Sequence, residues 1–415
     1  MDFKFVGYNF DNESYVATFK YQNQFGQDFA ETIEFVRPAE PYAYNPQLLE
    51  NALKLSFFLI GTSYYKAHPT KTAIYDGFEL DEFQARFFDN VYQEGLSQYA
   101  YENQLTRDDL LHFTATVADQ PTAEAYDGQG VIMTQSGGKD SLLVTELLDE
   151  KGIDFTPLYV APSDTHPAIL DSFKNPLLTM KRHIDREALK TTGGLNGHVP
   201  ITYIIESLVL IQAILLGKNL VLMGIGQEGN EAHAMIGDLK VNHQWSKTWE
   251  AEQLLAEYVA RYVSPDIKIG SPVRAYSEVK ISELFAKKCW EKYGHQFSSC
   301  NVANYTQGHD NSGLKWCGKC AKCANSFLVF APFVPAEELK TLFDGKDLFV
   351  DPELTDDFKG LLGIEGAIKP FECVGEIGEL RAAYHMKQPG YADLPFEVPA
   401  SDFDYNKTYE HQDLI

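Results

Sequence analysis

The hexapeptide Ser136-Gly137-Gly138-Lys139-Asp140-Ser141 constrains this chain more than any other stretch, because of what flanks it. Gly130-Val131-Ile132-Met133-Thr134 before it is a short apolar run with the residues of a buried strand. From Ser141 onward, Ser-Leu-Leu-Val-Thr-Glu-Leu-Leu-Asp-Glu-Lys repeats its apolar side chains at helical spacing. A strand that passes into a helix through two glycines lets the backbone approach a ligand closely, and the helix start directs free N–H groups at an anion. The bland alternative is a turn that only closes a strand–helix unit. The Gly-x-x-x-x-Gly-Lys-Ser/Thr spacing of a P-loop kinase is absent.

The segments around this loop predict an α/β protein. Phe3–Tyr8, Ser14–Tyr21 and Phe29–Phe35 alternate as strands of a small antiparallel meander, with turns at Asp11-Asn12 and Gly26-Gln27-Asp28. Leu48–Leu59 and Glu82–Tyr101 read as helices, the second carrying Phe83, Phe87, Phe88, Val91 and Leu96 as a core stripe. Residues 114–128, rich in Ala, Thr, Asp and Gly, read as a linker. Beyond it strand and helix signals alternate, with strands at Phe155–Val160 and Leu220–Met223 and a buried helix at Ile201–Leu216. Such alternation predicts a parallel sheet covered by helices on both faces, with ligands at the carboxyl ends of its strands. Helices are also expected at Glu278–Lys288 and Ala336–Phe343. The expected organisation is a smaller α+β N-terminal domain over residues 1–115, a catalytic domain over 129–385, and an extended acidic tail over 386–415.

The formal charge of −24 over 415 residues argues against a broad nucleic-acid surface, which needs clustered Lys and Arg, while leaving room for a local basic cleft. The N-terminus lacks a signal-peptide pattern, and the longest apolar run carries Glu206, Ser207 and Gln212, too polar to span a bilayer. These features point to a cytoplasmic protein with neither membrane nor nucleic acid as partner. All six cysteines fall after residue 288, and in a reducing compartment their clustering suggests metal. Trp316-Cys317-Gly318-Lys319-Cys320-Ala321-Lys322-Cys323 offers three thiols at two-residue gaps, and Cys300 supplies a fourth. Four thiolates close a tetrahedral structural Zn²⁺ site, with an iron–sulfur cluster as the alternative. Cys289 reads as a packing residue. Cys373 is either core or a thiol that reaches the active site.

Further polar residues gather at loop ends of the expected sheet: His198 in Leu195–Thr202, Glu228 in Gly224–Glu231, and His243 with Lys247 in Val241–Lys247. A Ser-Gly-Gly-x-Asp-Ser loop in this setting resembles the PP-loop of the ATP pyrophosphatase superfamily, enzymes that hold the pyrophosphate of ATP and transfer AMP to a substrate oxygen. The wider pattern resembles the ATP-dependent UDP-N-acetylmuramoyl-L-alanyl-L-glutamate epimerases. It is carried in order by the loop, Leu-Asn-Gly-His-Val-Pro at 195–200, Gly229-Asn230-Glu231 and Val-Asn-His-Gln-Trp-Ser-Lys at 241–247. Phe-Ser-Ser-Cys-Asn at 297–301, the Trp-Cys-x-x-Cys run and Lys-Pro-Phe-Glu-Cys-Val-Gly-Glu at 369–376 complete it.

This resemblance implies inversion of the terminal L-Glu of UDP-MurNAc-L-Ala-L-Glu to D-Glu in peptidoglycan precursor synthesis, with ATP cleaved to AMP and pyrophosphate. Adenylation removes the carboxylate charge that makes the α-proton such a weak acid, and a side-chain base can then remove and return that proton. On this reading the backbone of Gly137, Gly138 and Lys139, with Ser136 and Ser141, holds pyrophosphate, and Asp140 orients Mg²⁺. His198, Glu228 and His243 are candidate bases, and Lys247 a contact to phosphate or carboxylate. Cys300, Cys317, Cys320 and Cys323 hold the metal. The 7-cyano-7-deazaguanine synthases, which also pair a PP-loop with a cysteine cluster, are a rival resemblance, but they are smaller and space their cysteines more closely. A tRNA-modifying enzyme fits the acidity poorly.

Overall fold

The computed structural model describes residues 2–306 and 313–415. Its strands are β1 (Phe3–Asp11), β2 (Val16–Gln22), β3 (Asp28–Glu34), β4 (Ala73–Ile74), β5 (Val131–Thr134), β6 (Phe155–Ala161), β7 (Leu178–His183), β8 (Leu220–Leu222), β9 (Ala234–Ile236), β10 (Leu239–Val241) and β11 (Lys268–Gly270). All but β9 and β10 share one nine-stranded sheet in the order β11-β8-β5-β6-β7-β3-β2-β1-β4. From β11 to β7 the strands are parallel, whereas β7, β3, β2 and β1 pair antiparallel. The chain is therefore mixed α/β around a large, mostly parallel sheet.

Alternation along the central strands explains why both faces are covered. On β5, Val131 and Met133 enter one hydrophobic core while Ile132 enters the other; on β8, Leu222 and Val221 divide the same way. Side chains on a strand point alternately to opposite faces, so a strand apolar throughout needs helices on both sides. Helices Pro46–Ile60, Ile201–Leu215 and Trp249–Tyr258 cover one face, and Lys139–Glu150, Glu278–Lys288 and Ala321–Phe330 the other. The expected helix over 82–101 is two helices, Glu82–Gln93 and Ser97–Glu102, yet Phe83, Phe87, Phe88, Val91 and Leu96 are all buried.

The boundary expected between residues 115 and 129 does not interrupt the sheet. β3 pairs directly with β7 through Thr32–His183, Ile33–Arg182 and Glu34–Lys181. Beneath this seam Arg182 Nε donates to Glu31 Oε1 at 2.6 Å, and Tyr64 Oη donates to Glu31 Oε2 at 2.9 Å, all three side chains being buried. Residues 386–415 form neither helix nor strand and pack on the protein: Tyr391, Leu394, Val398 and Leu414 are buried in the second core. No helix among the described residues is long and apolar enough to cross a membrane.

Candidate active site

The Ser136–Ser141 loop leaves the carboxyl end of β5 and opens helix Lys139–Glu150. Gly137 adopts φ +76°, and a Cβ there would stand 2.5 Å from Leu314 Cδ1, so glycine is required twice over. Gly138 caps the helix without a capping side chain, which leaves the first-turn N–H groups to an outside acceptor. The two hydroxyls stay within the loop: Ser136 and Ser141 Oγ lie 3.4 Å apart, and Gly138 N–H donates to Ser136 Oγ at 3.3 Å.

The Lys139 side chain turns away into the protein. Its ammonium pairs with Asp140 Oδ1 and with Glu278 Oε2, each at 2.7 Å. Burial pulls this lysine toward neutrality, but the carboxylates of Asp140 and Glu278 outweigh it and hold it charged above its ordinary value. Burial likewise acts to raise Glu278, and Lys139 with Lys322 overcomes it, leaving the carboxyl at about 2. Asp140 is displaced upward, chiefly by burial, with the charges of Glu278 and Glu228 adding to it.

Glu228 links this loop to the second half of the site. It feels Asp140 on one side, accepts from Gln244 Nε2 at 2.7 Å, and pairs with Lys247 at 3.4 Å. Beyond Lys247 lie three imidazoles: His198 and His243 have ring centroids 4.3 Å apart, and His233 stands 6.5 Å from His243. Burial holds all three neutral, with His198 lowered to about 3 and His233 and His243 to about 4. The tautomer of His243 follows from its neighbours. Gln98 Nε2 donates to Glu102 Oε1 at 2.7 Å, which turns Gln98 Oε1 toward His243 Nδ1 at 2.6 Å. Nδ1 therefore carries the proton and Nε2 keeps a bare lone pair.

The segment Lys369–Ile377 closes over this basin. Glu231 Oε2 accepts from Lys369 Nζ and from Ile377 N–H, both at 2.9 Å, and so fastens the two ends. Phe371 stacks on His233 with centroids 5.2 Å apart. His233 was not foreseen. The signal available for it was the Gly237-Asp238 pair between two short apolar runs, a hairpin turn: β9 and β10 pair across it, and His233 N–H reaches Val241 O beside His243.

Cys300, Cys317, Cys320 and Cys323 converge as expected, with sulfurs at 3.6–3.7 Å along three of their separations, and could hold a metal ion. Ala303 N–H points at Cys300 Sγ and Gly318 N–H at Cys323 Sγ. The cluster ties the loop carrying Leu314, which packs on Gly137, to the start of helix Ala321–Phe330. Cys289 is wholly buried, as a packing residue should be. A cavity of about 810 Å³ lies elsewhere, among Tyr8, Glu50, Lys54, Asp76, Glu79 and Asp81. Its carboxylates, facing one lysine, have the wrong sign for a polyphosphate.

Comparison with known proteins bears on the whole chain. The family models described as the MurL N-terminal domain and the MurL C-terminal domain match residues 1–271 and 296–395. A UDP-N-acetyl-alpha-D-muramoyl-L-alanyl-L-glutamate epimerase of Xanthomonas oryzae pv. oryzae is 32% identical over 387 residues, covering 92% of this chain and 84% of the relative. Enzymes of the same name from Micromonospora sp. and Salinispora tropica are each 32% identical over 405 residues, covering 95% of this chain and 88% and 86% of the relatives.

Proposed function

This chain belongs to the MurL family, and on that premise we propose that it is an ATP-dependent epimerase that inverts the terminal L-glutamate of UDP-N-acetylmuramoyl-L-alanyl-L-glutamate through an acyl-adenylate. The likeness to epimerases over more than nine-tenths of the chain is the observation that carries this reading. The uncapped helix start behind a two-glycine turn, at the carboxyl edge of a parallel sheet, supports a PP-loop ATP pyrophosphatase fold. Backbone N–H groups of Gly137, Gly138 and Lys139, with the Ser136 and Ser141 hydroxyls, hold the pyrophosphate end of ATP. The Lys139 ammonium, locked between Asp140 and Glu278, fixes the loop rather than the phosphates.

Asp140 and Glu228, near enough to feel each other's charge, form a hard-oxygen donor set suited to Mg²⁺. Magnesium there would neutralise phosphate charge as the adenylate forms. Zn²⁺ suits the cysteines: four bonds of about 2.3 Å to tetrahedral corners set sulfurs about 3.8 Å apart, close to the 3.6–3.7 Å here. A [4Fe–4S] cluster would bind each thiolate to a different iron and spread the sulfurs further.

His243 is the base. Its proton sits on Nδ1 against Gln98, its Nε2 is bare, and burial keeps it neutral at pH 7. His198 packs beside it and Lys247 draws the activated carboxyl toward Glu228 and the loop. The test is incubation with ATP, Mg²⁺ and UDP-MurNAc-L-Ala-L-Glu, followed by chiral analysis of the glutamate and assay of AMP. Formation of ADP, or glutamate that stays L, refutes the proposal.

A further inference from the structure

The two loops that the cysteines tie together each set one side chain against a glycine of the Ser136–Ser141 loop. A Cβ on Gly137 would stand 2.5 Å from Leu314 Cδ1, and one on Gly138 would stand 2.9 Å from Ser299 Oγ. Leu314 lies shortly before Cys317, and Ser299 immediately before Cys300. The leucine contact is apolar packing. The serine contact brings a hydroxyl to the start of a helix.

Gly138 is the N-cap of helix Lys139–Glu150, with the extended backbone usual there, φ −85° and ψ 163°. At an N-cap a side chain sets out toward the free N–H groups of the first turn, and its oxygen accepts from one of them. Glycine has no such side chain, and Ser299 Oγ reaches the place where one would begin from far along the chain. The same point lies 3.4 Å from Ser136 Oγ, so the Ser136 and Ser299 hydroxyls flank it together.

The neighbours of Ser299 hold it in this position. Ser298 Oγ donates to Lys315 O at 2.7 Å and accepts from Cys300 N–H at 3.1 Å. Buried Asn304 bridges the same two segments: its Nδ2 donates to Cys300 O at 2.8 Å, and its Oδ1 accepts from Lys315 N–H at 3.0 Å. Ser299 itself is half-buried, and its hydroxyl finds no hydrogen-bond partner among the described residues. A hydroxyl turns its proton to suit an acceptor. Beside uncapped N–H groups it completes a set of donors that an oxyanion with several oxygens would satisfy at once.

We propose that Ser299 is a further binding residue for the pyrophosphate end of ATP, its hydroxyl donating to a phosphate oxygen beside the N–H groups of the Ser136–Ser141 loop. The inference rests on the reading of that loop as the pyrophosphate cradle. It makes the segment leading into Cys300 part of the nucleotide site.

The experiment is calorimetric binding of pyrophosphate, ATP and AMP, each with Mg²⁺, to the full chain. Ser299→Ala should weaken pyrophosphate and ATP by ~10- to 100-fold, the loss expected for one hydrogen bond to a charged group. AMP, which lacks those two phosphates, should bind as it does to the unsubstituted chain. Ser299→Thr keeps the hydroxyl and should restore most of the affinity, which guards against a folding defect in the alanine variant. An alanine variant that binds pyrophosphate as tightly as the unsubstituted chain overturns the assignment. Equal loss of all three ligands overturns it too, by marking a structural role. An unsubstituted chain that binds neither ATP nor pyrophosphate overturns the reading of the loop itself, and the assignment with it.

Discussion

Gly224 offers a way to displace the Ser136–Ser141 loop through its backbone without replacing any residue proposed to act in the chemistry. It follows β8, and a Cβ built on it would stand 2.7 Å from both Asp140 C and Ser141 N, and 2.9 Å from Asp140 O. These are backbone atoms of the first turn of helix Lys139–Glu150, so no side chain can rotate aside. To recover an ordinary 3.4 Å contact the helix start must retreat by about 0.7 Å. Overpacking of this kind costs about 1–3 kcal/mol of stability. A misplacement near 1 Å can cost ~10²-fold in rate when the reaction depends on positioning, so Gly224→Ala should lower AMP formation by ~10- to 10²-fold. Pyrophosphate release under saturating ATP measures this, with urea unfolding run alongside. Gly313→Ala, where nothing among the described residues lies within 4 Å of the added carbon, is the matched control and should be silent. If Gly224→Ala turned over ATP at the control's rate while still folded, the loop's placement against β8 would not matter to nucleotide chemistry, and the loop assignment would fail.

His243→Gln should lower α-proton exchange in D₂O by ~10²- to 10⁴-fold, read by mass spectrometry of recovered substrate; undiminished exchange removes His243 as the base. Because burial lowers His243 to about 4, and the base works only when neutral, exchange should hold as pH falls through 6.5 and decline only near 4. A half-maximal point at the ordinary imidazole value of about 6.5 would contradict that. The same depression acts on stability with a definite sign. The unfolded imidazoles bind protons below about 6.5 while the folded ones do not, so stability is full above that pH and is lost as pH falls toward 4, measurable by urea midpoints. Cys320→Ser should reduce bound zinc and destabilise the chain, whereas a preparation carrying iron with visible absorption would refute the zinc assignment. Arg182→Ala should cost about 3–5 kcal/mol by leaving Glu31 unpaired in the core, and an unchanged urea midpoint would show that the seam between β3 and β7 does not depend on that pair.

What could be read from the sequence was local. The strand, the two-glycine turn and the helix from Lys139 are contiguous, as are three of the four cysteines, and helix Glu278–Lys288 announces itself by its period and by the Ser277 cap on Lys280 N–H. What escaped depends on partners far away in the chain. β7 runs Leu-Thr-Met-Lys-Arg-His, and its inward positions are Met180 and Arg182. An arginine on the buried face destroys the apolar alternation by which strands are recognised, and it is tolerated only because Glu31 waits across the seam. Residues 1–115 were set apart as an α+β unit by the Ala-, Thr-, Asp- and Gly-rich stretch at 114–128, and their meander joins the parallel strands through the pairing of β3 with β7. The site shows the same dependence. His198 and His243 were visible as isolated histidines near loop ends, but the tautomer of His243 rests on Gln98 and Glu102, which belong to the N-terminal half and carry no motif of their own. Replacing Gln98 by Leu would leave every recognised motif intact and still remove the bond that keeps Nε2 bare. The chemistry of this chain is therefore encoded as much in the seam that brings the two halves together as in the glycine loop that first identifies it.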